Sequence, residues 1–184
     1  MIFNFRIVSD GAETFKREIR IDAQGTFLDL KNAICDSVGY DKTMMDSFFI
    51  CDDGWEKRKE ITYEDMDLDS DQEAWLMDDA VLEDFIDDEG QKVLYVFDYM
   101  TDRAMYMEMT EMIPGKTLKD PLCTLSVGKA PKQTIDMEEF DAQVEAKNAK
   151  AIASVDDIDE EFYGSDEFNP DEFEAEGFDE MDLS

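Results

Sequence analysis

Residues 2–38 read IFNFRIVSDGAETFKREIRIDAQGTFLDLKNAICDSV and change their hydrophobic period once, near the middle. In the first part Phe3, Phe5 and Ile7 alternate with Asn4 and Arg6, the period of two that marks a half-buried strand. Ser9, Asp10 and Gly11 supply turn chemistry. Phe15, Ile19 and Ile21 then alternate against Lys16, Glu18 and Arg20, so the two runs predict a β-hairpin. After Gly25 the spacing becomes helical: Phe27, Leu30, Ile34 and Val38 form one apolar stripe. Thr26 stands at the N-cap with Asp29 three residues on, where a capping-box acid belongs, and Gly39 supplies the stop.

Residues 47–51 (SFFIC) are a short apolar run that predicts a buried strand. Asp52, Asp53 and Gly54 turn the chain, and residues 55–62 return as an edge strand. Strand, strand, helix, strand is the order of a β-grasp, and residues 1–62 resemble the ubiquitin-like arrangement. A shared fold of that kind implies no particular activity.

Beyond an acidic linker at 63–73, residues 79–86 predict a short helix carrying Val81, Leu82, Phe85 and Ile86. Residues 93–99 (VLYVFDY) and 104–112 (AMYMEMTEM) predict a second hairpin around 100–103. Its outer strand carries Met105, Met107 and Met109 on one face, a stripe that reads first as core and second as an adaptable binding surface. The stretch LCTLSVGKAPKQ closes the domain. Residues 136–150 predict a solvated helix capped by Asp136, with Glu139 at the third position and Met137, Phe140 and Val144 on one side. The expected organisation is an α+β domain over 1–135, a short helix over 136–150 and a disordered tail over 151–184.

The tail is acidic and aromatic. Residues 136–184 hold nineteen Asp and Glu against two Lys, and Phe162, Phe168, Phe173 and Phe178 recur five or six residues apart. Self-repulsion and scarce aliphatic residues leave nothing to offset chain entropy, so such a segment does not fold alone. Three readings stand: a solubilising appendage, an interaction segment whose Phe162, Tyr163, Phe168, Phe173 and Phe178 enter apolar pockets of a basic protein, or a nucleic-acid mimic.

A net charge of −32 argues against direct nucleic-acid binding and against anionic membrane surfaces. The chain contains no histidine, which removes His-based nucleophile activation and His metal ligation. Cys35, Cys51 and Cys123 have no CxxC spacing, cannot complete a four-ligand zinc site, and read as reduced thiols of a cytoplasmic protein. The first residues show no signal-peptide pattern, and no run reaches the length of a membrane span. No cofactor is expected.

The pieces REIRID, TFLDLKNAI, LYVFDY and CTLSVGKAPKQ, in that order, resemble the plasmid Ri open-reading-frame-three-like domain family over residues 2–133. The resemblance implies an α+β fold without an established activity. Some members carry a transposon resolvase label, but the nucleophilic serine in an arginine-rich site that such chemistry requires has no counterpart here. Many members have Tyr-Asp-Phe-Gly-Asp followed by Trp; here the segment is FDYMTDR, which keeps Asp98 and Tyr99 and lacks the Gly and the Trp.

Four candidate sites follow. Asp98, Tyr99 and Asp102 sit around the second hairpin turn, either as turn caps or as a carboxylate site for an enzyme or a divalent metal. Asp67, Asp69 and Asp71 open like a calcium loop but lack its Gly and its closing Glu, so a solvated linker is the plainer reading. Lysines and arginines cluster at Lys57–Arg58–Lys59, at Lys16, Arg17 and Arg20, and at Lys129 and Lys132, either to protect strand edges or to receive the acidic tail. The tail aromatics are the fourth. The leading expectation is a non-enzymatic interaction module that docks on a basic protein.

Overall fold

The computed structural model describes residues 1–65 and 74–156, with side chains to residue 150. Its elements are β1 (Ile2–Val8), β2 (Lys16–Asp22), α1 (Phe27–Val38), β3 (Ser47–Cys51), β4 (Lys57–Thr62), β5 (Ala74–Leu76), a 3-10 turn (Leu82–Asp84), β6 (Lys92–Asp98), β7 (Arg103–Ile113), β8 (Leu122–Val127) and α2 (Met137–Asp156). The chain divides into two units, Met1–Met137 and Glu138–Ser184.

The first unit is an α+β fold built on one eight-stranded sheet of order β5-β4-β3-β6-β7-β1-β2-β8. All neighbouring strands are antiparallel except β4 and β5. The first hairpin forms in the expected register, with Phe3 opposite Ile21 and Phe5 opposite Ile19. α1 is held at both ends by its own sequence. The Thr26 side chain accepts from the Asp29 backbone N–H while Asp29 accepts from the Thr26 N–H, and Gly39 takes φ 76° at the C-cap. Phe27, Leu30, Ile34 and Cys35 are fully buried with Phe3, Phe5, Ile7 and Ile19 in one core. Met105, Met107 and Met109 belong to that core, so the methionine stripe is interior packing.

β3 joins the sheet of the first hairpin, with β6 and β7 between it and β1. Other expectations need correction. Residues 55–62 are not the sheet edge, because the three-residue β5 pairs in parallel outside β4. The helix expected over 79–86 is only a 3-10 turn: the Leu82 and Glu83 N–H groups donate to the Gly25 and Ala23 carbonyls, so tertiary bonds replace helical ones. α2 runs six residues past its expected end, to Asp156.

Candidate functional site

The β6–β7 turn places Asp98, Tyr99 and Asp102 close in sequence but sends their side chains to three different partners. The Asp98 carboxylate accepts from the Met100 N–H at 3.1 Å, the Thr101 hydroxyl at 2.7 Å and Arg103 Nη2 at 2.8 Å. Arg103 also donates to the carbonyls of Lys132 and Gln133, at 2.7 and 3.0 Å, and its guanidinium lies 5.0 Å from the Phe97 ring. Asp98 thus caps its own turn and, through Arg103, clamps the 128–134 segment. Burial alone would raise the Asp98 carboxyl, but the Thr101 and Arg103 bonds outweigh it and hold it below its usual range.

Tyr99 turns to β3 and β4, where its hydroxyl meets the Ser47 hydroxyl and donates to Glu60 at 3.3 Å. Burial pushes its phenol up. Asp102 adopts φ 49° and forms an exposed ion pair with Lys57 at 3.3 Å. An Asp tolerates that left-handed conformation better than most residues. The three residues do not converge on one reacting point. Among the described residues, no group of three or more Cys, Asp or Glu could hold a metal ion. Asp67, Asp69, Asp71 and the five tail aromatics, Phe162, Tyr163, Phe168, Phe173 and Phe178, lie outside the described residues.

A second polar cluster escaped sequence reasoning. Lys31 of α1 is 0% exposed and Asp46, just before β3, is 1% exposed; their charged atoms are 2.9 Å apart. Lys31 also donates to the Met44 carbonyl at 3.1 Å and sits 3.2 Å from the centre of the Tyr63 ring. The buried Tyr95 hydroxyl donates to Asp46 at 2.5 Å and lies 3.6 Å from the Cys35 sulfur. Burial raises the Asp46 carboxyl, with Tyr95 and Lys31 offsetting part of the rise, and it raises the Tyr95 phenol and the Cys35 thiol as well. Lys31, Asp46, Tyr95 and Cys35 are all buried, with the half-buried Tyr63 ring as their cover. The evident role of the cluster is to tie α1 to β3 and β6. The signal was present: Lys31 lies four residues from both Phe27 and Cys35, on the apolar face of its helix.

The basic clusters are largely engaged within the fold. Arg17 is 5% exposed and donates to the carbonyls of Ser37, Val127 and Gly128. Arg20 faces Glu111, Arg58 faces Asp52 and Glu56, and Lys59 lies over the Trp75 and Phe85 rings. An open cleft of about 900 Å³ is instead acidic on balance: Asp53, Asp87, Asp88 and Glu89 line it beside Lys92, with Cys51 and Met112 as its apolar part.

A protein with this α+β sheet, a closed polar core and an acidic open face has the fold of a solved relative of unassigned role. It is similar to a protein of unknown function, MM3350, from Methanosarcina mazei Go1, with a TM-score of 0.54, 18% identity and 68% of each chain covered. The chain belongs to the plasmid pRiA4b ORF-3-like protein family, whose model matches residues 2–177. That match passes the expected limit at residue 133 and takes in most of the acidic tail. None of the curated proteins matches the chain.

Proposed function

We propose that this protein is a non-enzymatic interaction module whose acidic, aromatic C-terminal segment docks on a basic protein. The observation that carries the reading is the reach of the family match to residue 177, through Phe162, Tyr163, Phe168 and Phe173. A stretch that served only to solubilise this one chain would not need to fall within a family pattern, and five aromatic side chains work against solubility. Carboxylates around aromatics suit a partner with cationic and apolar contacts together: the charges raise the encounter rate and the rings hold the complex.

Two features of the folded unit agree with this reading. Four of the cations of β2 and β4 that could draw the tail back onto the domain, Arg17, Arg20, Arg58 and Lys59, are engaged with carbonyls, carboxylates and rings of the folded unit. The open cleft at Asp53 and Asp87 to Glu89 adds negative charge that favours the same class of partner. The cytoplasm is the expected compartment, given three free cysteines; no helix among the described residues is long and apolar enough to cross a membrane.

The test replaces Phe162, Tyr163, Phe168, Phe173 and Phe178 with alanine in the full chain and compares affinity capture from native lysate with the parent. Loss of basic proteins from the variant supports the reading. Identical captures would place binding in the folded unit.

A further inference from the structure

The two sheet edges differ in how far they are protected. β5 ends one side with three residues, too short to template much pairing. β8 ends the other with six, LCTLSV, and carries neither charge nor proline. Among the described residues only β2 pairs with it. Leu122 and Val127 are 53% and 46% exposed, on a strand whose residues are nearly all solvent-facing. Natural proteins blunt a long edge with lysines, prolines or bulges; β8 has no lysine or proline along its length and a single bulge, at Thr124, which shifts its register against Glu18 and Ile19 and brings Leu122 and Val127 to one face.

This edge is also fixed in place. Arg17 grips the carbonyls of Val127 and Gly128 at 2.6 and 3.1 Å. Gly128 has φ 68°, and a Cβ there would come within 2.5 Å of the Thr14 carbonyl oxygen, so only glycine allows that close approach. A rigid edge loses little entropy when a strand is added.

The charge around β8 is opposite to that of the whole chain. Exposed Lys116, Lys119 and Lys129 flank the strand, with Asp120 as the one acid between positions 116 and 129. We infer that β8 is a docking edge for an extended acidic peptide of another protein, which adds to the sheet as a ninth strand, with its alternate apolar side chains beside Leu122 and Val127 and its terminal carboxylates beside the three lysines. The mode is β-strand addition, in which backbone hydrogen bonds give affinity and alternate side chains give selectivity. The acidic tail of this chain fits the edge poorly, because its aromatics recur every five or six residues and an added strand needs a period of two. A second copy would bring another −32 of charge against the first.

The test uses the full chain and a fluorescent peptide of alternating valine and threonine with aspartates at both ends. Anisotropy should show binding that weakens at least about tenfold when the peptide's terminal aspartates become lysines, and by a similar factor in the Lys119→Glu, Lys129→Glu double variant. N-methylating the amides along one edge of the peptide should abolish binding, while methylating those along the other edge should not. Amide shifts should map to β8 and β2. No binding, equal binding of the aspartate and lysine peptides, indifference to methylation, shifts centred on the acidic cleft, or a concentration-dependent dimer through β8 would each overturn the assignment.

Discussion

Lys31–Asp46 and Arg103–Asp98 are both cation–carboxylate pairs of the same folded unit, and they sit in opposite settings. The first is sealed at 0% and 1% exposure beneath α1, with the Tyr63 ring over the ammonium. The second lies near the surface, at 16% and 10% side-chain exposure, where Arg103 spends its remaining donors on the carbonyls of residues 132 and 133. A sealed pair must recover the desolvation cost of both charges from each other and from the few groups around it, here the Met44 carbonyl, the Tyr63 ring and the Tyr95 hydroxyl, so losing one partner is severe. A rim pair keeps access to water and is worth what its hydrogen bonds contribute. Both pairs hold elements together: the first ties α1 to β3, and the second fastens residues 132 and 133 to the β6–β7 turn.

The largest effect should come from breaking the sealed pair. Asp46→Ala leaves the Lys31 ammonium buried without its counter-charge and should cost about 3–5 kcal/mol in urea denaturation. A Lys31→Met, Asp46→Asn double variant should cost less than the sum of the two single changes, since it leaves no orphan charge. Next, Gly128→Ala forces a side chain into φ 68° against the Thr14 carbonyl, at the root of the segment that Arg103 clamps, and should cost about 2–3 kcal/mol by the same measurement.

Asp98→Asn should cost about 1–2 kcal/mol and speed hydrogen exchange at residues 100–103. The two carboxylates also separate by pH. Asp98 titrates lower in the fold than in the unfolded chain, so its stabilisation is present above the unfolded value and lost as pH falls through the folded one. Asp46 titrates higher in the fold, so the folded state holds the proton more tightly and stability falls as pH rises through the folded value. Denaturation across the acid range should therefore show the parent's advantage over Asp98→Asn shrinking toward low pH, and its advantage over Asp46→Asn growing. The smallest change, Thr26→Ala, removes the cap of the helix that carries Lys31 without touching either pair, and should cost about 1 kcal/mol.

What could be read from the sequence was local. The β1–β2 hairpin, the caps of α1 and the limits of β3 follow from alternation, capping residues and a short apolar run, all set by neighbours in the chain. β5 was hidden because three residues carry no period, and its pairing partner lies beyond an acidic linker. Arg17 and Lys31 occupy positions where the apolar pattern demanded a buried residue, yet their charge suggested solvent. Their partners, the Val127 and Gly128 carbonyls and Asp46, are distant in sequence. The Asp98 segment drew attention through residues that proved to cap and clamp, a role that a turn with an aspartate at its start already implies. Side-chain chemistry showed which residues were unusual; only tertiary packing showed what they hold.

The central claim is that function lies in partner binding through the tail aromatics and not in chemistry at the β6–β7 turn. The most direct measurement is quantitative affinity capture from native lysate with three full-length chains: the parent, the variant with alanine at Phe162, Tyr163, Phe168, Phe173 and Phe178, and Asp98→Asn. The account predicts that a basic protein is captured equally by the parent and Asp98→Asn and lost by the aromatic variant. Capture retained by the aromatic variant and lost in a folded Asp98→Asn chain would contradict it.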